Sequence, residues 1–363
     1  MIDKKTDAHS LEIGVSPEVT ELMDTRIEQQ PKVEKSARRE ILRVDNLKMY
    51  FPVTKGLFKR TVGYVKAVDD VSFRINQGET LGIVGESGSG KSTIGNCVMR
   101  NLKITGGHMM FDGLELESQT DRQMRAVHKK LTMVTQDPYA SLDPRKTVSD
   151  IILEGPTIHR MYSSKGEARD IVGQMLELVG LNPKFAERFP HEFSGGQRQR
   201  ISIARALALE PSFIICDEIV SALDVSIQAQ IVGLMMKVQK ELGLTYIFIG
   251  HDLSVVRHIS NQVAVMYLGK IMELTDSDEL YQRPAHPYTQ ALISAAPIPN
   301  PTADRARERI LLEGEVPSPI NPPKGCHFCT RCRFADERCR QEEPEMTDIG
   351  NNHLVACHRV AGN

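Results

Sequence analysis

The sequence contains no run of about 18 or more apolar residues, the length a membrane-spanning helix needs. Its first residues, MIDKKTDAHSLEIG, lack the apolar core of a secretory leader, so any service at a membrane is expected to be peripheral. An excess of one charge is missing too: 45 Lys and Arg stand against 47 Asp and Glu, a formal net charge of −2. That balance argues against a protein that coats nucleic acid, whose footprint is a strong basic excess. Cysteine is scarce, with seven in 363 residues, too few for a disulfide scaffold. No internal repeat or low-complexity tract interrupts the chain.

What is present suits one large α/β domain with extensions, or two unequal domains. Apolar residues make up 40% of the chain, enough for a sizeable core. Residues 1–40 mix charged and polar residues with isolated apolar ones and are expected to form a mobile arm, with room for a short helix from Pro17 to Gln29. From Ile41 to about residue 275, β-rich apolar runs alternate with helical stretches, the pattern of a layered α/β domain. Three runs predict buried strands: ETLGIV, SFIICDE and TYIFIG. QVAVMYL and KIMEL, joined near Gly269 and Lys270, predict a hairpin. A proline-rich stretch follows, with Pro297, Pro299, Pro301, Pro317, Pro319, Pro322 and Pro323, and is expected to be an extended linker. Residues 276–363 end in a cysteine-rich tail.

The segment Gly85, Glu86, Ser87, Gly88, Ser89, Gly90, Lys91, Ser92 fits G-x-x-x-x-G-K-S/T, after an apolar strand and before a helical stretch that opens with Ser92 and Thr93. Glycines let such a loop wrap so that backbone N–H groups face phosphate oxygens, and the helix adds its positive dipole end. Lys91 is expected to reach the β- and γ-phosphates of ATP and Ser92 to hold Mg²⁺. A glycine-rich turn that binds nothing is the bland alternative, and the flanking strand and helix speak against it. Farther on, SFIICDE ends in adjacent carboxylates. Asp217 is expected to bind Mg²⁺ through water, and Glu218 to orient or deprotonate an attacking water. Two acids ending a strand at the surface are common, and alone the pair decides little.

Ser194, Gly195, Gly196 and Gln197, followed by RQRISIARALALEP, weight that decision. With this stretch the sequence resembles the ABC transporter ATPase family, whose signature S-G-G-Q precedes a helix shortly before the acidic strand. Such a turn is a second anion site at a helix N-terminus; in the family it faces the γ-phosphate held by the opposite subunit. Other family elements fall in order: Gln136 in MVTQDPYASLDPR, a turn of Ser221, Ala222, Leu223 and Asp224, and His251 in FIGHDLSVV. Gln136 resembles the loop glutamine that senses Mg²⁺ and the membrane subunit; His251 resembles the switch histidine at the γ-phosphate. One departure is Ile219, where the family often has proline. The resemblance implies a P-loop nucleotide-binding domain with a RecA-like core, an antiparallel β subdomain and a helical signature subdomain at about residues 138–195. An aromatic side chain usually stacks on adenine; Tyr64 is the first candidate and Phe58 the second, and either could be a packed strand residue.

Five cysteines crowd between Cys326 and Cys357, which in a cytosolic chain points to metal. Gly325-Cys326, Phe328 and Arg331-Cys332 in the pattern G-C-x-F-x-x-R-C, then Cys339, Ala356-Cys357-His358 and RPAHPYT at Arg283 to Thr289, resemble the C-terminal extension of the dipeptide and oligopeptide permease ATPases. The likeness thus covers nearly everything from Ile41 onward. For some members it implies an iron–sulfur cluster, here [4Fe-4S] on Cys326, Cys332, Cys339 and Cys357. Zn²⁺ is the rival, with His327, His353 and His358 nearby, and unligated thiols are the third possibility. Cys329 lies outside the family pattern.

The implied function is ATP hydrolysis driving import of peptides at the cytoplasmic face of the cell membrane. The implied partners are a second, non-identical ATPase subunit, two polytopic permease subunits and an extracytoplasmic substrate-binding protein, with no nucleic acid. Nickel or a sugar is an alternative cargo. Export, or a soluble ATPase acting on nucleic acid or ribosomes, is the more distant alternative; the latter class usually carries coiled-coil insertions, tandem domains or basic tracts, which are not found here.

Overall fold

A computed structural model describes residues 39–56, 58, 60–296 and 309–360. The expected arm, with its helix from Pro17 to Gln29, lies outside these residues apart from positions 39 and 40, as does the first part of the proline-rich stretch.

Two sheets organise the chain. Strands β1 (Glu40–Lys55) and β2 (Arg60–Asn76) form a long antiparallel pair, joined by β4 (Gly106–Phe111) and β5 (Leu114–Glu115) in the order β2-β1-β4-β5. The larger sheet has eight strands. Its parallel part runs β9 (Gln262–Tyr267), β3 (Thr80–Val84), β8 (Thr245–Ile249), β7 (Phe213–Asp217), β6 (Leu131–Val134). All three predicted buried strands lie here as β3, β7 and β8, and every residue of each is buried. Parallel strands covered on both faces read as unbroken apolar runs, which is why alternation is absent from the sequence.

The two-residue period of a strand still sorts these side chains between two cores. Ile214 and Cys216 of β7 and Tyr246 and Phe248 of β8 belong to one cluster. Phe213 and Ile215 with Ile247 and Ile249 belong to the other, together with Ile94, Cys97 and Val98 of helix α1 (Lys91–Val98). Asp217, two residues beyond Ile215, therefore points to the face that α1 covers.

Between the sheet strands lies a helical region. It includes α2 (Val148–Ile158) and α3 (Lys165–Leu178), both of which pack on α4 (Gly195–Leu207). Helix α5 (Val225–Leu242) follows β7.

The predicted hairpin is β9 with β10 (Lys270–Asp276), so the boundary expected at residue 275 falls within a strand. The tail then returns to the same sheet. β12 (Leu354–Val355) pairs antiparallel with β10, and β11 (Thr347–Asp348) pairs with β12, extending the sheet edge. Beneath this edge sits Glu273, fully buried, which accepts hydrogen bonds from the Ala285 and His286 backbone N–H groups at 2.8 and 2.9 Å. His353 Nε2 lies 2.6 Å from the same carboxyl and its Nδ1 3.6 Å from Glu279. A carboxylate in the interior requires such a full set of partners. One side chain thus ties β10, the segment entering the extension and the segment before β12.

Two buried histidines here titrate in opposite senses. Burial opposes charge on His353, yet its bonds to Glu273 and Glu279 outweigh that and raise its pKa above the usual 6.5. Burial lowers that of His286 to about 4 despite the Glu273 charge. A raised histidine contributes stability below pH 6.5 that is lost as pH rises through its folded value; a depressed one costs stability as pH falls below 6.5. Wild-type stability above pH 6.5 is therefore expected to decline more steeply than that of His353→Gln, measured by denaturant unfolding from pH 6 to 9; parallel curves would contradict it. Glu273→Ala should cost about 3 kcal/mol or more, because three donors lose one buried acceptor.

Candidate functional site

The turn between β3 and α1 is shaped by close approaches. Gly90 has φ +105°, and a Cβ there would stand 2.1 Å from the Ala67 carbonyl oxygen of β2. Gly85 is as confined: its added Cβ would stand 2.1 Å from the Met266 carbonyl oxygen of β9. The loop is thus pressed between the two sheets. Helix α1 has Gly90 at its N-cap with no side-chain cap, which leaves its first N–H groups open to an anion.

Lys91 is only 4% exposed and its Nζ donates to the Gly85 and Glu86 carbonyl oxygens at 2.8 and 2.9 Å. Burial lowers its pKa, opposed by the charges of Glu218, Asp217 and Glu86. Ser92 Oγ donates to Asp217 Oδ1 at 2.7 Å, joining the start of α1 to the end of β7 across 125 positions of sequence. Burial raises the Asp217 pKa, with the Ser92 bond and Lys91 opposing and Glu218 adding to the rise. A divalent cation between Ser92 and Asp217 would supply the counter-charge this carboxyl lacks, and the hydroxyl–carboxylate pair is a hard oxygen donor set of the kind Mg²⁺ takes.

Glu218 leaves the strand in a left-handed conformation, φ +48°, fixed by its N–H donating to the Ile249 carbonyl at 3.0 Å. Such backbone is uncommon outside glycine and turns the carboxylate out of the sheet. Gln136 Nε2 donates to Glu218 Oε2 at 2.8 Å. Glu218 and His251 line one cleft with Ser221, Gln228 and Gly250, and His251 is exposed.

The predicted residues therefore fall into two groups. Ser92 is hydrogen-bonded to Asp217 and Gln136 to Glu218, the charges of both carboxylates act on Lys91, and His251 shares the Glu218 cleft. Ser194 to Gln197 instead make a local capping box at the start of α4, with Ser194 N–H donating to Gln197 Oε1 at 3.0 Å. Asp224 is the exposed N-cap of α5, and no hydrogen bond from its side chain caps the helix. Tyr64, in β2, is 51% exposed and Phe58, in the preceding turn, 84% exposed, so both rings are open to a ligand.

Two residues that the sequence places only within the pattern of the C-terminal extension reach this site. Arg331 Nη1 donates to both Glu86 carboxylate oxygens, at 3.0 and 2.8 Å, and the Tyr288 hydroxyl accepts from the Glu86 N–H at 2.9 Å. Neither belongs to a motif that refers to the loop.

In the tail, Cys326, Cys329, Cys332, Cys339 and Cys357 all line one pocket. Cys329, outside the family pattern but in C-x-x-C spacing with Cys326 and with Cys332, is a wall of that pocket. Burial pushes the Cys326 thiol up to about 12 and raises Cys332 and Cys329 as well. Among the described residues no three His, Cys, Asp or Glu side chains converge closely enough to hold a single metal ion. A compact Cys₄ or Cys₃His arrangement, as zinc requires with Zn–S near 2.3 Å, is not formed.

An ATP-binding cassette combines this phosphate loop, acidic strand end and capped glycine signature, and the chain belongs to the ABC transporter family, whose pattern matches residues 68–221. A second match, to the oligopeptide/dipeptide transporter C-terminal region, covers residues 272–339. More particularly, the chain is similar to oligopeptide transport ATP-binding proteins. It is 56% identical to AppF of Bacillus subtilis (strain 168), over 88% of this chain and 97% of that one. Identity to OppF of Escherichia coli (strain K12) is 50%, over 89% and 97%. Among solved structures, the MJ0796 cassette, a dimer in a post-hydrolysis state bound to ADP and Pi, superposes with a TM-score of 0.59 at 28% identity, covering 65% of this chain and 99% of that one. CbiO1 from Clostridium perfringens gives 0.58 at 26%, covering 68% and 92%.

Gly90→Ala should weaken ATP binding at least about tenfold, since a non-glycine residue there meets both a left-handed φ and the Ala67 carbonyl. Calorimetric titration with ATP and Mg²⁺ measures it, and wild-type affinity would contradict the proposed tightness of the loop.

Proposed function

We propose that this chain hydrolyses ATP to power peptide import through a membrane transporter, docked at the cytoplasmic face of the membrane against two permease subunits that receive peptide from an extracytoplasmic binding protein. The observation that carries the hydrolytic half is the hydrogen-bonded series from Ser92 to Asp217 and from Gln136 to Glu218. The peptide half is supported by the extension matching residues 272–339 and by relatives that are oligopeptide transport proteins across nearly their full length.

In this reading Lys91 leaves the Gly85 and Glu86 carbonyls to meet the β- and γ-phosphates, and adenine stacks on Tyr64. Ser92 and Asp217 would hold Mg²⁺, whose chemistry there would be neutralisation of phosphate charge. Glu218 orients the attacking water and accepts its proton, and His251 contacts the γ-phosphate from the other wall of the cleft. The Ser194 to Gln197 turn, which makes only local bonds in one chain, serves the nucleotide of a second ATPase subunit, a non-identical homologue. Closure of the pair around ATP would move the permease subunits docked near Gln136 and the helical region. Catalysis here is positioning and charge stabilisation.

For the cysteine pocket the reading is a [4Fe-4S] cluster on Cys326, Cys332, Cys339 and Cys357, with Zn²⁺ as the rival. What supports this is that all five cysteines of the tail line one pocket and that the extension resembles one that carries such a cluster in some members; among the described residues the thiols do not converge on a single ion. Such a cluster would staple the ends of the tail together.

Glu218→Gln should retain ATP binding while turnover falls at least about tenfold, roughly 1.4 kcal/mol in barrier. Unchanged ATPase activity would remove Glu218 from this role. Anaerobic purification should yield a brown protein with broad absorption near 400 nm and about four irons per chain; stoichiometric zinc without iron would reverse the assignment of the pocket.

A further inference from the structure

The cysteine-rich loop faces two ways. Cys326, Phe328, Cys329 and Cys332 line the pocket, while Phe328 and Arg331 also reach residues of the ATPase core. Phe328, 1% exposed, packs edge-on against Tyr267 of β9, with ring centroids 5.2 Å apart, and lies 5.2 Å from Tyr288. Arg331 lies with its guanidinium over the Tyr267 ring and ends on Glu86, its side chain only 9% exposed. Tyr288, from helix α6 (Pro287–Ala295) of the extension, is fully buried and takes the Glu86 N–H. Glu86, the first variable residue of the phosphate loop, is therefore held by side chain and by backbone from elements about 200 and 245 residues away.

We propose that Arg331 and Tyr288 are positioning residues for the phosphate loop, so that the order of the cysteine-rich loop is read out as nucleotide affinity. The inference rests on the ATP-site reading above. Two physical effects act together. Arg331 neutralises a carboxylate that would otherwise stand beside the triphosphate, within range to act on Lys91. Tyr288 fixes the direction of the Glu86 peptide, and with it the start of the turn whose later N–H groups face the phosphates. A charge pair this shielded from water is weakly screened, so removing one partner leaves the other uncompensated. Coupling of this kind between a remote segment and a ligand commonly amounts to 5- to 150-fold in affinity.

The test is a double-mutant cycle on the full chain, titrated calorimetrically with the slowly hydrolysed analogue AMP-PNP and Mg²⁺, with nucleotide-free melting as the folding control. Arg331→Ala should weaken binding about tenfold when Glu86 is present and by less than about twofold in the Glu86→Ala background. Arg331→Lys should fall between wild type and Arg331→Ala, and Tyr288→Phe should weaken binding in the same direction. Equal losses in both backgrounds, or no loss in either, would overturn the inference, because a general structural role for Arg331 does not depend on Glu86. If Arg331→Ala fails to fold, Arg331→Lys in the same two backgrounds decides the matter by the same criterion. Failure of the wild type to bind the analogue would overturn the site reading and this inference with it; a binding wild type with a flat cycle would overturn this inference alone.

Discussion

The nucleotide site depends on one steric constraint, the phosphate loop confined between a carbonyl of β2 and a carbonyl of β9. Gly85 and Gly90 sit where a Cβ would overlap Met266 and Ala67 oxygens, so the loop can neither widen nor carry side chains at these points. Because β2 belongs to the small antiparallel sheet and β9 to the large one, the loop registers the two sheets against each other. The start of α1 follows directly, and with it the placement of Lys91 and Ser92 opposite the end of β7.

Around that loop the charges are arranged so that a cation and a polyanion are both needed to balance the site. Burial works against charge on Lys91 and on Asp217, and the partial remedies within the chain are the neighbouring groups that raise the one and lower the other. Mg²⁺ with ATP would complete the set, binding at a cluster already oriented by hydrogen bonds. The left-handed backbone of Glu218 turns its carboxylate into the cleft that His251 also lines, while its charge still acts on Lys91 and Asp217.

The extension belongs mechanically to the ATPase core. It adds β12 and β11 to the large sheet, contributes His353 to the buried Glu273 cluster, and places Phe328, Tyr288 and Arg331 behind the phosphate loop. Its aromatic residues bury their rings against Tyr267, one residue past the Met266 whose carbonyl limits Gly85. A tail that looked in the sequence like an appendage after a proline-rich linker is thereby packed against the strand that shapes the loop.

By itself the sequence determined the phosphate loop, the signature turn, the strands that carry them and the acidic pair. Each is encoded within a few residues: glycines at positions of forced backbone geometry, a capping serine three residues before its glutamine, an apolar run ending in carboxylates. Tertiary structure alone decided how distant segments meet. The Ser92–Asp217 bond spans 125 positions, and the sequence linked its ends only through the Mg²⁺ that each was expected to hold. The contact of Arg331 with Glu86 spans 245 and had no such link. For Cys329 the C-x-x-C spacing with both neighbours left the ligand set open, and the fold put its thiol in the pocket wall. Periodicity and spacing report what a residue does to its neighbours along the chain. An arginine that closes on a loop across the fold carries no trace of that in its own segment, because the contact is fixed by how the sheet edge and helices pack.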